Sequence, residues 1–202
     1  MKNSITAMCM GMMTTTKFVL ASSSPRRREL LASLGIPFTI HRPEIDETQH
    51  PGENPLDYVQ RLSIEKAAVI AAQIDPPALI LAADTIVLDG ADVLGKPVDA
   101  ADARQMLQRL RGRTHQVCTA LTLHPQPGQA ITRLTCTQVQ MRDYSDAEID
   151  AYIATGDPFD KAGSYAIQHE TFAPVTQVFG SYTNVIGLPL ETLQSALEKF
   201  GF

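Results

Sequence analysis

The sequence predicts an α/β domain built on a mixed, twisted sheet with helices on both sides. Three observations carry this expectation. Strand-like and helix-like hydrophobic patterns alternate through the first half of the chain. Two alternating segments, Val117 to Leu123 and Leu134 to Cys136, follow one another across a turn at Pro125 to Gln129. No internal repeat and no long linker divides the 202 residues, a length that suits one domain or one domain with a modest insertion.

The elements follow in order. Phe18 to Ala21 is a short apolar strand that runs into Ser22-Ser23-Ser24-Pro25-Arg26-Arg27-Arg28. Ser24 is a good helix N-cap, and Pro25 suits the first helical position. Leu30, Leu31 and Leu34 recur at helical spacing, and Gly35 can close that helix. A short strand is expected near Pro37 to His41, then an acidic loop with Glu44, Asp46 and Glu47. Leu56 to Ile74 reads as a helix with Val59, Leu62 and Ile70 on one stripe, and Lys66 falls on that stripe. Ala78 to Ala83 is a continuous apolar run typical of a strand buried on both faces, ending at Asp84-Thr85. Ile86 to Leu88 continue the apolar pattern and Asp89-Gly90 signals a hairpin.

Asp99 can cap a helix carrying Ala103, Met106, Leu107 and Leu110, closed by Gly112. In the following β segments the alternation slips phase between Cys136 and Val139, which suggests a bulge. Ser145-Asp146-Ala147-Glu148 is a capping box for a helix burying Ile149, Tyr152 and Ile153 and ending at Gly156. Asp157 to Gln168 is rich in polar and turn residues, and a last helix runs from about Pro189 to Phe200.

Composition narrows the function classes. An apolar content of 44% is ordinary for a globular protein with a substantial core. A net charge of −5 argues against a protein that coats nucleic acid, but not against a small anionic substrate held by local cations. No apolar run is long enough to span a bilayer. Cys9, Cys118 and Cys136 show no metal-like spacing; the latter two read as small core residues, which suits a reducing cytoplasm. The five histidines show no metal spacing either and read mostly as surface residues. The Met-rich residues 1–16 lack an apolar core and are expected to be a disordered extension, or to precede a true start near Met13. Residues 17–202 are then expected to form a single domain.

The arginines of the first motif fall in the first turn of their helix, the wrong end for cations. An anion held there by backbone N–H groups and guanidinium forks would resolve the conflict; three solvated arginines on a surface helix are the plain alternative. Lys66 on an inward stripe either snorkels to the surface or enters a polar pocket. Asp84, placed at the end of a buried strand, is either a site for chemistry or a turn cap. With Lys96, Lys161, Glu47 and Asp160, these residues could clamp a triphosphate, hold a divalent metal through oxygen ligands and supply a general base. There is no G-x-x-x-x-G-K-[ST], no G-x-G-x-x-G and no G-x-S-x-G.

Ser22-Ser23-Ser24-Pro25-Arg26-Arg27, Ala83-Asp84-Thr85-Ile86-Val87, Gly95-Lys96-Pro97 and Asp160 to Gln168 resemble, in order, the motifs of the Maf family of nucleoside triphosphate pyrophosphatases. The resemblance runs from about Phe18 to the C-terminus. It implies cleavage between the α and β phosphates, with Asp84 as the proton acceptor and Lys96 and Lys161 at pocket positions for phosphate or metal contact, where they are expected to neutralise the leaving pyrophosphate. It implies substrate binding by Ser24, Arg26, Arg27, Lys66, Thr85 and Gln168, with Arg26, Thr85 and Gln168 tied to base selection. It implies a divalent metal, magnesium or manganese, at Glu47 and Asp84. The implied fold is elongated, two lobes around a cleft, like inosine triphosphate pyrophosphatase. A cytoplasmic homodimer that binds neither nucleic acid nor membrane is expected.

Family members acting on 7-methyl-GTP tend to carry a tryptophan after the first motif's proline and a Ser-Asp-Gln form of the second. This chain has Arg26, Asp84-Thr85 and no tryptophan. It resembles the branch hydrolysing dTTP and UTP, modified pyrimidine triphosphates included, in a house-cleaning role with a link to cell-division arrest. Gln168, a donor and an acceptor, could pair with a pyrimidine edge. The alternatives are the 7-methyl-GTP branch, a non-catalytic nucleotide-binding regulator of septum formation, and a phosphate-sensing domain.

Overall fold

One long strand organises the sheet. In the computed structural model, which describes residues 16–202, β3 (Ala78–Asp89) runs unbroken through the middle of the molecule. On one edge it pairs antiparallel with β5 (Thr114–Gln126) from Ala78 to Leu88. On the other edge β1 (Lys17–Ala21) pairs parallel with Ala78 to Ala82, and β4 (Asp92–Leu94) pairs antiparallel with Val87 to Asp89. The sheet continues outward through β2 (Thr39–His41) beyond β1, and through β6 (Ile131–Met141) and β7 (Val175–Phe179) beyond β5.

Successive side chains of β3 point to opposite faces, and different helices cover them. Helix α2 (Pro55–Ala71) lies along one face: Ala67 and Ile70 pack on Ile80 and Ala82, and Val59 packs on Ile86 and Leu88. The other face is shared. Leu31 of α1 (Pro25–Ala32) and Leu193 and Leu197 of α6 (Leu190–Leu197) pack on Leu79, Leu81 and Ala83. Leu107 of α3 (Ala100–Leu110) and Ile149 and Tyr152 of α4 (Asp146–Ala154) pack on Val87 and Val117. Two separate core clusters on this face divide the domain into two lobes. Each fully buried leucine contributes roughly 1.5–3 kcal/mol by leaving water.

The local signals hold where they are strong. Ser24, Asn54, Asp99 and Ser145 accept hydrogen bonds at their helix starts, and the capping box at Ser145 and Glu148 is complete. Helix α2 ends at Ala71, with Ala72 as its C-cap, three residues before the expected Ile74.

Several expectations need correction. Asp84 does not end its strand: the full-length partner β5 carries β3 on to Asp89, and what ends near Asp84 is the neighbour β1. The β5–β6 ladder is regular from Thr114↔Gln140 to Leu123↔Ile131, so no bulge lies between Cys136 and Val139. The phase slip there reflects a change of covered face: Leu134 packs towards α2, whereas Val139 and Met141 pack towards α3 and α4. The irregularity sits instead at Gln140/Met141, against β7. Strand β7 and the short helix α5 (Tyr182–Ile186) carry too few apolar positions to show a period.

Cys118 and Cys136 face each other across the β5–β6 ladder with Cα atoms 4.2 Å apart and form a disulfide. Cys118 is buried but Cys136 is exposed, so they are not two free core thiols, and the pair lends no support to a reducing compartment. His115 is buried, 3% exposed, contrary to a surface reading. The expected N-terminal extension lies outside the described residues, apart from Thr16. No helix among the described residues is long and apolar enough to cross a membrane.

Candidate active site

The edge of β3 is open at four residues. β1 pairs only as far as Ala82 and β4 only from Val87, so Ala83 to Ile86 lack a strand neighbour on that side. The C-terminal ends of β1 and β4 point into this gap from opposite directions. The chain leaves them as Ser22 to Arg27 and as Gly95-Lys96, both of which line a cleft of about 500 Å³. Crevices beyond strand ends are where open α/β sheets bind ligands, because backbone groups and helix starts stand free there. Asp84 and Thr85 point to opposite faces of β3, yet both border the cleft because the edge beside them is uncovered. Every residue singled out from the sequence for the site lines it except Arg28, the third arginine of the first motif, which is exposed and stays outside the cleft.

Lys66 enters a polar pocket and does not snorkel. It sits on the inward face of α2, 7% exposed, with Nζ 2.5 Å from Asp84 Oδ1 and 2.8 Å from Glu47 Oε1. One ammonium thus serves two carboxylates. Burial raises the Glu47 pKa, but the hydrogen bond from Lys66 and the charges of Lys66, Lys96 and Arg27 outweigh it and hold it below the ordinary value. The hydroxyl of Tyr58, also on α2, donates to the Glu47 carbonyl at 2.8 Å and ties the acidic loop to the helix. Asp84 Oδ2 accepts no hydrogen bond from the described residues.

Arg27 is set by long-range contacts. Its Nε donates to the Gly187 carbonyl at 2.8 Å and its NH2 to Thr85 Oγ1 at 2.9 Å. Desolvation is the largest influence on the guanidinium and lowers its pKa, partly opposed by the charge of Asp84. Gly187 has φ 120°, and a Cβ there would come 3.4 Å from Thr85 Oγ1 and 3.5 Å from Arg27 Nε. Only glycine brings the carbonyl in without strain. The buried Asn184 anchors that segment through Nδ2, which donates to the Val117 carbonyl and to Thr137 Oγ1. Sequence reading missed Asn184 and Gly187, because a single helical turn followed by glycine carries no distinguishing signal.

The opposite wall is a second charge cluster. Lys161, 8% exposed, donates to Asp160 Oδ1 (2.6 Å), Asp157 Oδ1 (2.9 Å) and the Asp157 carbonyl (2.6 Å). All three ammonium protons are engaged, so Lys161 reaches a ligand only by exchanging one of these partners. Arg26 reaches across from α1 to Asp160 Oδ2 at 3.2 Å. Burial raises the Asp160 pKa, but Lys161 and Arg26 outweigh it and lower it. Lys96 is exposed and has no ion-pair partner among the described residues, and Gln168 lies exposed at the rim.

No group of three or more His, Cys, Asp or Glu among the described residues is placed to hold a metal alone. Glu47 and Asp84 offer two hard oxygen donors that already converge on one cation, Lys66. That set fits magnesium or manganese shared with phosphate oxygens and water, rather than an all-protein cage.

Residues 17–200 match the family model described as Maf-like protein. Among similar chains, a dTTP/UTP pyrophosphatase of Myxococcus xanthus is 50% identical over 186 residues, covering 92% of this chain and 93% of the relative. One from Anaeromyxobacter dehalogenans strain 2CP-1 is 48% identical over 189 residues, covering 92% and 95%. The Ham1 protein of Staphylococcus aureus superposes with a TM-score of 0.55 at 13% identity, and a HAM1 protein of Coxiella burnetii with 0.51 at 18%, each covering 91% of this chain and 99% of the other. These two structural likenesses bear on the fold alone and agree with the architecture expected from the sequence. With a family model spanning nearly all of the described chain and relatives at about half identity over more than nine-tenths of their length, this chain belongs to the Maf family.

Proposed function

We propose that this protein is a nucleoside triphosphate pyrophosphatase that hydrolyses dTTP and UTP, and modified pyrimidine triphosphates, to the monophosphate and pyrophosphate. The observation that carries the reading is Asp84: a cleft carboxylate oriented by Lys66 through Oδ1, with Oδ2 free of hydrogen-bond partners among the described residues and five cationic side chains lining the same cleft. The pyrimidine choice rests on the relatives named dTTP/UTP pyrophosphatase at about half identity.

In this mechanism a water held by Asp84 Oδ2 attacks at the α-phosphorus. Its proton passes to Asp84, and the bond from the α-phosphorus to the bridging oxygen breaks, with the electron pair leaving on pyrophosphate. Arg26, Arg27 and the start of α1, capped by Ser24, hold phosphate. Lys96 swings onto the leaving group, and Lys161 joins it as Asp160 turns towards Arg26. Thr85 and Gln168 bear on the base. Glu47 and Asp84 would hold a divalent metal, magnesium or manganese, which would supply further charge neutralisation. The reading extends to a homodimer in the cytoplasm, which sedimentation and cell fractionation test.

The deciding experiment is product analysis on a panel of nucleoside triphosphates, with and without divalent metal. Pyrophosphate with dTMP and UMP, and 7-methyl-GTP spared, is the expected result. Preference for 7-methyl-GTP would overturn the substrate assignment alone. No pyrophosphate from any substrate would overturn the enzymatic reading in favour of a binding module.

A further inference from the structure

Away from its charged groups the cleft has an apolar wall made by Val117, Tyr165, Ile167 and Val185, with Gln168 at its rim. Tyr165 reaches this wall through an unusual turn. Gly163 and Ser164 both have positive φ, 69° and 62°. A left-handed backbone at a buried serine carries strain that the surroundings must hold. They do so through the bond from Gly163 N to the Gly95 carbonyl (3.0 Å) and from Ser164 N to the Lys161 carbonyl (3.1 Å). A Cβ on Gly163 would come 3.0 Å from Val87 Cγ1, so the turn also needs glycine for space. The ring that follows is 5% exposed and borders the cleft.

What holds the far end of that ring is His115, on β5. Its Nε2 lies 2.7 Å from the Tyr165 hydroxyl, and the two rings meet edge to face with centroids 5.4 Å apart and planes at 84°. The imidazole is 3% exposed, and its Nδ1 has no hydrogen-bond partner among the described residues. A buried polar group with one side unsatisfied is costly to keep. Burial depresses its pKa to about 4, so it stands neutral at ordinary pH. It makes its one side-chain hydrogen bond to a residue of the cleft.

We infer that His115 is a positioning residue for nucleobase recognition: it fixes the Tyr165 hydroxyl so that the tyrosine ring forms a rigid apolar wall for the pyrimidine, beside Gln168. This rests on the nucleotide reading above and adds to it a residue that touches no substrate atom. Losing the anchor frees the ring to leave the wall, which weakens base binding in ground state and transition state alike. The loss therefore falls on KM rather than kcat.

The test uses the full-length protein and the variants Tyr165→Phe, His115→Gln and the double substitution. Each single change is expected to raise KM for UTP about fivefold to tenfold, the worth of one hydrogen bond, with kcat held within about twofold. The double variant should be no worse than the more affected single one, because both remove the same link. Calorimetric binding of inorganic pyrophosphate, which has no base, should stay at the wild-type value. A KM for UTP unchanged in Tyr165→Phe, an effect on kcat alone, or an equal loss of pyrophosphate binding would overturn the inference. A His115→Gln variant that fails to fold leaves the decision to Tyr165→Phe, which keeps the ring and removes only the hydroxyl. Wild-type protein that turns over no nucleotide would sink the function reading alone; UTP affinity by calorimetry, weakened or not in the variants, still decides the role of His115.

Discussion

Asp84 and Asp89 stand five residues apart on β3, are equally buried at 8% and 7% exposed, and both pair with cations. Their surroundings differ in count. Asp89 has two arginines, one of them shared with the exposed Asp92: Arg109 donates through Nε to Asp89 Oδ2 at 2.6 Å and through NH2 to Asp92 Oδ2 at 2.6 Å, and Arg113 donates to Asp89 Oδ2 at 3.2 Å and to Oδ1 at 3.1 Å. Both oxygens are occupied, and the cluster pins the β3–β4 hairpin to the end of α3. Asp84 shares one ammonium with Glu47 and has an oxygen to spare. Burial and charge alone therefore do not mark a site on this strand. The mark is an incomplete set of partners beside an uncovered strand edge.

The largest expected effect separates the two carboxylates by rate. Asp84→Asn keeps the size and removes the basicity, so kcat should fall about 10²- to 10⁴-fold while calorimetry still shows UTP binding. Wild-type turnover in that variant would end the contrast, because Asp84 would then be a structural carboxylate like Asp89.

The next effect belongs to the Asp89 end, where His115 lies close enough to feel the aspartate's charge. Burial depresses the folded-state pKa of His115 to about 4, with Asp89 opposing the shift. The unfolded chain takes up the proton near pH 6.5, and the folded chain resists until about 4. Stability is therefore complete above pH 6.5 and drains as pH falls through that window, by about 3 kcal/mol at most. Chemical denaturation at pH 7 and pH 4.5, with His115→Gln as control, reads it: the variant should show a shallower loss.

Asp89→Asn should then lower stability by about 1–2 kcal/mol, a modest figure because Arg109 and Arg113, 37% and 58% exposed, regain water when the charge is lost. KM and kcat should not change, and a drop in either would join the hairpin to the site. The smallest effect is at the start of α1. Ser24→Ala removes the cap to Arg27 N and should cost about 1 kcal/mol in thermal unfolding, with a small rise in KM.

Local rules read the starts of helices well, because a cap acts within one turn: Ser24 with Pro25, Asp99, and Ser145 with Glu148 are all in place. They read Lys66 only as far as its stripe, since which of two outcomes a buried lysine takes depends on carboxylates 18 and 19 positions away in the chain. Asp84 was legible as a candidate, but for an incomplete reason: its own strand continues, and it is β1 that stops. The disulfide was illegible because register alone sets Cys118 against Cys136.

The sequence by itself determined the α/β class, the positions of α1, α2, α3 and α4, and the residue types at the cleft, since periodicity, caps and motifs act over a few residues. Tertiary structure decided the rest. It chose which carboxylate keeps an open oxygen, committed Lys161 to Asp157 and Asp160, held Arg27 on the Gly187 carbonyl, and joined His115 to Tyr165. The physical reason is common to all four. A side chain's partners are fixed by the register of the strands and the packing of the helices that carry them, and those couplings span up to 160 positions of the chain.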